Sequence, residues 1–130
     1  MAERYLLDTH TVLWFLGGDE KLSPKAKRII SDADNICFLS MASIWEIAIK
    51  VKLGKLQLGV SLQEFYNVVS ANSIKILPIS FDHINQILKL EDIHRDPFDR
   101  MILAQAFTEQ LIILSRDNNF IKYKMSHVVW

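Results

Sequence analysis

Short apolar runs alternate along the chain with longer stretches in which apolar residues recur every three or four positions. Tyr5-Leu6-Leu7, Ile36-Cys37-Phe38-Leu39, Ile74-Lys75-Ile76-Leu77 and Leu111-Ile112-Ile113-Leu114 are the short runs, and Val128-Val129 is a shorter fifth. Their near-continuous apolar character predicts strands covered on both faces. Between them the spacing predicts helices from Thr11 to Leu16, Lys25 to Ala33, Ser40 to Val51, Ser61 to Ala71, Asp82 to Leu90 and Asp99 to about Gln110. Gly17-Gly18 is a stop signal for the first, and Ser23-Pro24 supplies an N-cap and a first-turn proline for the second. In the fourth, Leu62, Phe65, Val68 and Val69 are expected to point inward. Glu91 to Phe98 reads as a polar loop and Asn118-Asn119 as a turn. Strands and helices in alternation predict an α/β layer fold with a mainly parallel sheet, in which a site lies outside the carboxyl ends of the strands.

Composition narrows this picture. The 130 residues are expected to form a single domain over 1–130, half of them hydrophobic and about a quarter charged. Fifteen basic and fifteen acidic residues cancel, which argues against a protein that coats nucleic acid by charge alone. An acidic pocket inside a basic rim would give the same sum. The single cysteine, Cys37, lies in an apolar run and is expected to be buried and inert. One cysteine, no secretory signal and apolar stretches of only about five residues point to a cytoplasmic chain that does not span a membrane.

The candidate chemistry is acidic. Asp8 directly follows the first strand, and Asp117 follows the fourth by three residues. Glu46 stands in the otherwise apolar stretch Ser43-Ile44-Trp45-Glu46-Ile47-Ala48, whose helix opens after the second strand. Asp99 opens the helix before the fourth strand, with Asp96 three residues earlier. All should meet at one edge of the sheet. Like charges at close range raise one another's pKa, and a hard divalent cation relieves that conflict while activating water and neutralising a phosphate. No cysteine or histidine cluster has zinc spacing. Each acid also has a plainer reading. Asp8 alone suits a helix N-cap, Asp99 a helix dipole, Asp117 a turn, and Glu46 a buried pair with Lys50 at i+4.

The motifs around these acids decide between the readings. Leu6-Leu7-Asp8-Thr9-His10, Ser43 to Lys50 with Leu53-Gly54-Lys55-Leu56, His94 to Arg100, and Leu114-Ser115-Arg116-Asp117 resemble, in order, the PIN domain, and more closely the VapC-type toxins of bacterial toxin–antitoxin pairs. The resemblance implies a doubly wound, three-layer α/β/α sandwich and a Mg²⁺- or Mn²⁺-dependent endoribonuclease that leaves a 5′-phosphate and a 3′-hydroxyl. Its acidic residues map onto Asp8, Glu46, Asp99 and Asp117, as metal ligands and catalytic groups. Asp96, Thr9 and Ser115 are expected close behind them or at the substrate. Arg116 stands where relatives often carry a small residue. The resemblance also implies a VapB-type antitoxin as partner and a homodimer. Lys50, Lys52, Lys55, Arg95, Arg100 and Arg116 are candidates for a basic rim against RNA, and His10 and His94 for substrate contact or a structural hydrogen bond. Trp14 and Phe15 read as core, or as part of a groove for a partner helix.

Three other classes are distinguishable. A phosphoacceptor domain needs an aspartate closing the third strand, which instead ends at Pro78. A nucleotide-binding fold needs a glycine-rich loop after the first strand, and none is there. A catalytically silent PIN-fold module that binds RNA or protein remains the alternative, and lack of stabilisation by Mn²⁺ would mark it.

Overall fold

A computed structural model describes residues 2–93, 95–123 and 126–130. In chain order the elements are β1 Arg4–Leu7, α1 Thr9–Gly17, α2 Pro24–Ser31, β2 Ile36–Ser40, α3 Met41–Lys52, α4 Leu62–Ala71, β3 Ile74–Leu77, α5 Phe81–Ile87, α6 Pro97–Glu109, β4 Ile112–Leu114, α7 Asn118–Ile121 and β5 Val128–Val129. The five strands form one sheet in the order β3-β2-β1-β4-β5, and every pairing is parallel.

Alternation along each strand sorts the core into two layers. Tyr5, Leu7, Cys37, Leu39 and Leu114 face one way, against Val12 of α1, Ala26 and Ile30 of α2, Ile44 and Ile47 of α3, and Phe65 and Val69 of α4. Leu6 and Ile113 face the other way, against Ile102, Leu103 and Ala106 of α6 and Phe120 of α7. A strand buried on both sides cannot spare a polar position, which is why these strands read as unbroken apolar runs. The three-layer sandwich is thus the one anticipated, and Cys37 is buried within it.

The elements depart from expectation where cap chemistry or packing at the sheet's edge intervenes. Helix α6 begins at Pro97 rather than Asp99. Asp96 is its N-cap and accepts the backbone N–H of Phe98 at 2.8 Å, and a proline in the first turn has no N–H to orphan. Asp99 therefore lies inside the first turn. Residues 118–121 form the short helix α7 instead of a bare turn, capped by Asp117. Leu62 and Val68 are 39% and 43% exposed, because α4 packs mainly at the edge strand β3 and buries the narrow stripe of Phe65 and Val69. At the end of α1, Gly18 adopts φ +64°, the left-handed cap that glycine takes without steric penalty.

The strand order positions the site. From β1 the chain moves outward through β2 to β3, then crosses back to β4 on the other side of β1. The crevice above β1 and β4 is the switch point of the sheet, where helices leave in opposite directions and open a cleft. Among the described residues no helix is long and apolar enough to cross a membrane.

Candidate active site

Asp8 and Ser115 leave adjacent strands at this crevice. The Asp8 N–H donates to Leu114 O at 3.1 Å, so the β1–β4 seam continues one residue past the strands. Asp8 caps α1: its Oδ1 accepts the Thr9 N–H at 2.7 Å, while Oδ2 accepts the Ser115 hydroxyl at 2.9 Å. Ser115 Oγ in turn accepts the Asp117 N–H at 2.9 Å. One serine thus ties two candidate carboxylates to one frame. Thr11, a turn further along α1, donates to Leu114 O at 3.0 Å and fixes that helix on the seam. The cap reading and the site reading of Asp8 are both satisfied, since a carboxylate oxygen keeps a second lone pair after one hydrogen bond.

Glu46 approaches from α3. Its Oε2 meets Lys50 Nζ at 2.9 Å, one helical turn on, and its Oε1 lies 2.9 Å from Thr9 Oγ1. Thr9 Oγ1 is also 2.8 Å from Ser43 Oγ. The threonine has one hydroxyl hydrogen, and the carboxylate is the stronger acceptor, so Ser43 completes the chain as donor. The i,i+4 ion pair expected as the plain reading of Glu46 is therefore present, and it sits beside the other acids. The pairing with Glu46 holds the Lys50 ammonium above its usual pKa, helped by the nearby charges of Asp96 and Asp99.

Asp99 is half-buried on the first turn of α6. Loss of hydration, then the charges of Asp96, Asp8, Asp117 and Glu46, push its carboxyl from an ordinary 3.8 up to about 8. Burial likewise raises Asp8, against the hydrogen bond from Ser115 and the charge of His10. All five acids thus share one electrostatic environment, although they come from four separate stretches. Trp45 and Phe98, the residues just before Glu46 and Asp99, meet edge to face at 5.2 Å and clasp α3 to the start of α6.

The donors suit a hard cation: five carboxylates, the hydroxyls of Thr9 and Ser115, and no thiol. Burial first, and then the charges of four neighbouring acids, disfavour the ionised form of Asp99, a cost that a cation beside it would relieve. Among the described residues, however, no three His, Cys, Asp or Glu side chains already stand grouped to hold one ion between them. This favours an ion that keeps much of its water and takes one or two carboxylates directly, the usual habit of Mg²⁺.

The remaining candidates divide. Arg95 lines a shallow groove with Glu46, Lys50 and Asp96. Lys52, the last residue of α3, and Lys55, just beyond it, are exposed. Arg100 is occupied instead with structure: it donates to Glu91 O at 3.2 Å and Ile87 O at 3.4 Å, tying α6 to the end of α5. His94 lies outside the described residues. His10 is exposed in a groove of about 370 Å³ that also contains Asp8, Trp14, Lys21, Arg116 and Asp117. Ser43 and Lys21 belong to the site without having been anticipated. Ser43 was detectable as the i−3 neighbour of Glu46 on one helix face, whereas nothing local signals Lys21. His83, which carries no signal in the sequence, is buried on α5. Its Nδ1 accepts the Ser80 N–H at 3.0 Å, and its Nε2 lies 2.8 Å from Glu109, far along α6 from the acids.

An all-parallel sandwich with acids gathered at its switch point defines a class of α/β domain. The chain belongs to the PIN-domain family, whose model matches residues 5–125. No curated protein sequence matches it. Among solved structures, VapBC2 from Rickettsia felis bound to a DNA fragment from its promoter superposes with a TM-score of 0.74 at 13% identity, covering 98% of each chain. A toxin–antitoxin complex from Klebsiella pneumoniae gives 0.65 at 21% identity, covering 97% of this chain and 96% of that one. VapBC-1 from nontypeable Haemophilus influenzae gives 0.68 at 14%, with coverage of 97% and 96%. At these identities the likeness is one of fold.

Proposed function

We propose that the protein is a Mg²⁺- or Mn²⁺-dependent endoribonuclease, the toxin of a toxin–antitoxin pair, acting at the pocket of Asp8, Glu46, Asp99 and Asp117. The observation that carries this reading is Asp99: a carboxyl held near pH 8 by burial and four neighbouring acids. A purely structural aspartate on a helix's first turn gains from the dipole and has no reason to be surrounded by like charge. Family membership and the likeness to VapBC structures support the same reading.

One or two of Asp8, Asp99 and Asp117 would hold the ion directly and the rest through its water, with Glu46 close by and already clasped by Lys50 and Thr9. When bound, the ion supplies charge neutralisation at the phosphodiester and activation of water for in-line attack. The chain's own groups do the rest. Ser115 keeps Asp8 and Asp117 in fixed register. Thr9, itself held by Ser43, orients Glu46, whose two oxygens each keep a lone pair for water after meeting Thr9 and Lys50. Lys50, with Arg95 and Asp96 beside it, meets the RNA backbone at the pocket's edge. A VapB-type antitoxin, a second copy of the chain and a cytoplasmic setting belong to the same reading.

The test is incubation of purified protein with RNA in Mg²⁺ and in EDTA, followed by sequencing of the new ends. Cleavage only with metal, leaving 5′-phosphate and 3′-hydroxyl ends, is expected. RNA left intact in Mg²⁺ and Mn²⁺ would favour the silent binding module.

A further inference from the structure

We propose that Arg116, laid over the indole of Trp14 and flanked by His10 and Lys21, forms a stacking subsite for one unpaired nucleobase of the RNA, next to the phosphate that is cut. The proposal deepens the ribonuclease reading and rests on it. The groove of about 370 Å³ shares Asp8 and Asp117 with the acidic pocket, so a base seated there lies within about a nucleotide of the reacting phosphate. Its size is within the range of small-ligand pockets, roughly 300–1,000 Å³.

Apart from Asp8 and Asp117, the groove is lined by flat and cationic groups. Arg116 Cζ stands 5.7 Å from the centre of the Trp14 ring and Lys21 Nζ 6.0 Å. The indole is itself anchored, with Trp130 edge-on at 5.9 Å and the His10 ring tilted at 5.7 Å. A guanidinium held against an indole loses little freedom when a third plane is added, and its outer side is open because Arg116 is exposed. Guanidinium and aromatic planes are the surfaces on which single-stranded RNA bases stack. Among the described residues neither Arg116 nor Lys21 forms an ion pair, although Asp117 adjoins one of them in sequence. Their charge remains available to the phosphates on either side of the base, and it offsets the repulsion that the five acids exert on RNA. An acidic peptide would also find the two cations, but a stack of planes favours a flat ligand.

The experiment measures binding in Ca²⁺ of short single-stranded RNAs, each with one abasic position, to the wild type, Arg116→Ala and Arg116→Lys. In the wild type one abasic position should weaken binding roughly 5- to 150-fold, the range for a single base stack. Both variants should lose that position dependence; Arg116→Lys keeps the charge and discards the plane. Trp14 packs against the core and is left intact for that reason. An abasic penalty that survives in both variants, or that no position shows, would overturn the proposal. So would Arg116→Ala weakening an acidic peptide while leaving RNA binding untouched. A position-dependent penalty abolished in both variants, in a protein that cuts no RNA in Mg²⁺, would sink the nuclease reading and leave the subsite standing.

Discussion

Ser115 donates its hydroxyl hydrogen to Asp8 across the β1–β4 seam, at 2.9 Å, and with the same oxygen accepts the Asp117 N–H. A side chain of two heavy atoms thus ties one carboxylate to the backbone of the residue that carries another. Ser115→Ala leaves a buried carboxylate oxygen and a backbone N–H without this partner. It should cost about 1–3 kcal/mol, seen as a lower urea midpoint at unchanged slope. An unchanged midpoint would mean that water replaces the hydroxyl without loss.

Asp99 makes stability depend on pH. Its folded pKa of about 8 lies above the ordinary 3.8, so the folded state binds more protons between those values. In metal-free protein the contribution of Asp99 to stability should therefore be full below pH 4 and be lost as pH rises through 8, and Asp8, also raised, adds in the same direction. Asp99→Asn should flatten this slope in pH-resolved chemical denaturation. Mn²⁺ should restore the wild type at pH 8, because a ligand for the ionised form opposes the proton's advantage.

Asparagine also separates capping from ligation. Asn caps a helix about as well as Asp, so Asp8→Asn should retain α1, whereas Asp8→Ala should lose about 1 kcal/mol more. Both should lower RNA cleavage at least 100-fold. Equal stabilities of the two variants, measured by thermal melts in EDTA, would mean that the Thr9 N–H bond at 2.7 Å contributes nothing.

Lys50 is part-exposed, so its pair with Glu46 should be worth only about 1 kcal/mol in stability. Its effect on charge should be larger. Lys50→Met removes the cation paired with Glu46 and close to the charges of Asp96 and Asp99, and should tighten Mn²⁺ binding while weakening RNA binding. Equilibrium titration of each ligand would reveal a shift in the same direction for both if Lys50 served only to hold α3.

Much of this was legible in the sequence, for identifiable reasons. Strands buried on both faces announce themselves, and Leu7-Asp8 marks the point where an apolar run must end in something polar. Glu46 stood out because its helix face is otherwise apolar, and its pairing with Lys50 follows from helical spacing. The start of α6 was misplaced although Pro97 signals a first turn, because the polar residues before it read equally well as loop. The Trp45–Phe98 clasp and the Trp14–Arg116 cation–π contact join positions far apart in the chain, where no local period links them.

The most direct test of a shared ion among these acids is titration of Mn²⁺ onto metal-free wild type, Asp8→Asn and Asp99→Asn, with bound metal counted by electron paramagnetic resonance. Wild type should bind saturably, and each variant should bind at least ten-fold more weakly. Binding of equal strength in all three proteins, or none in the wild type, would contradict the assignment.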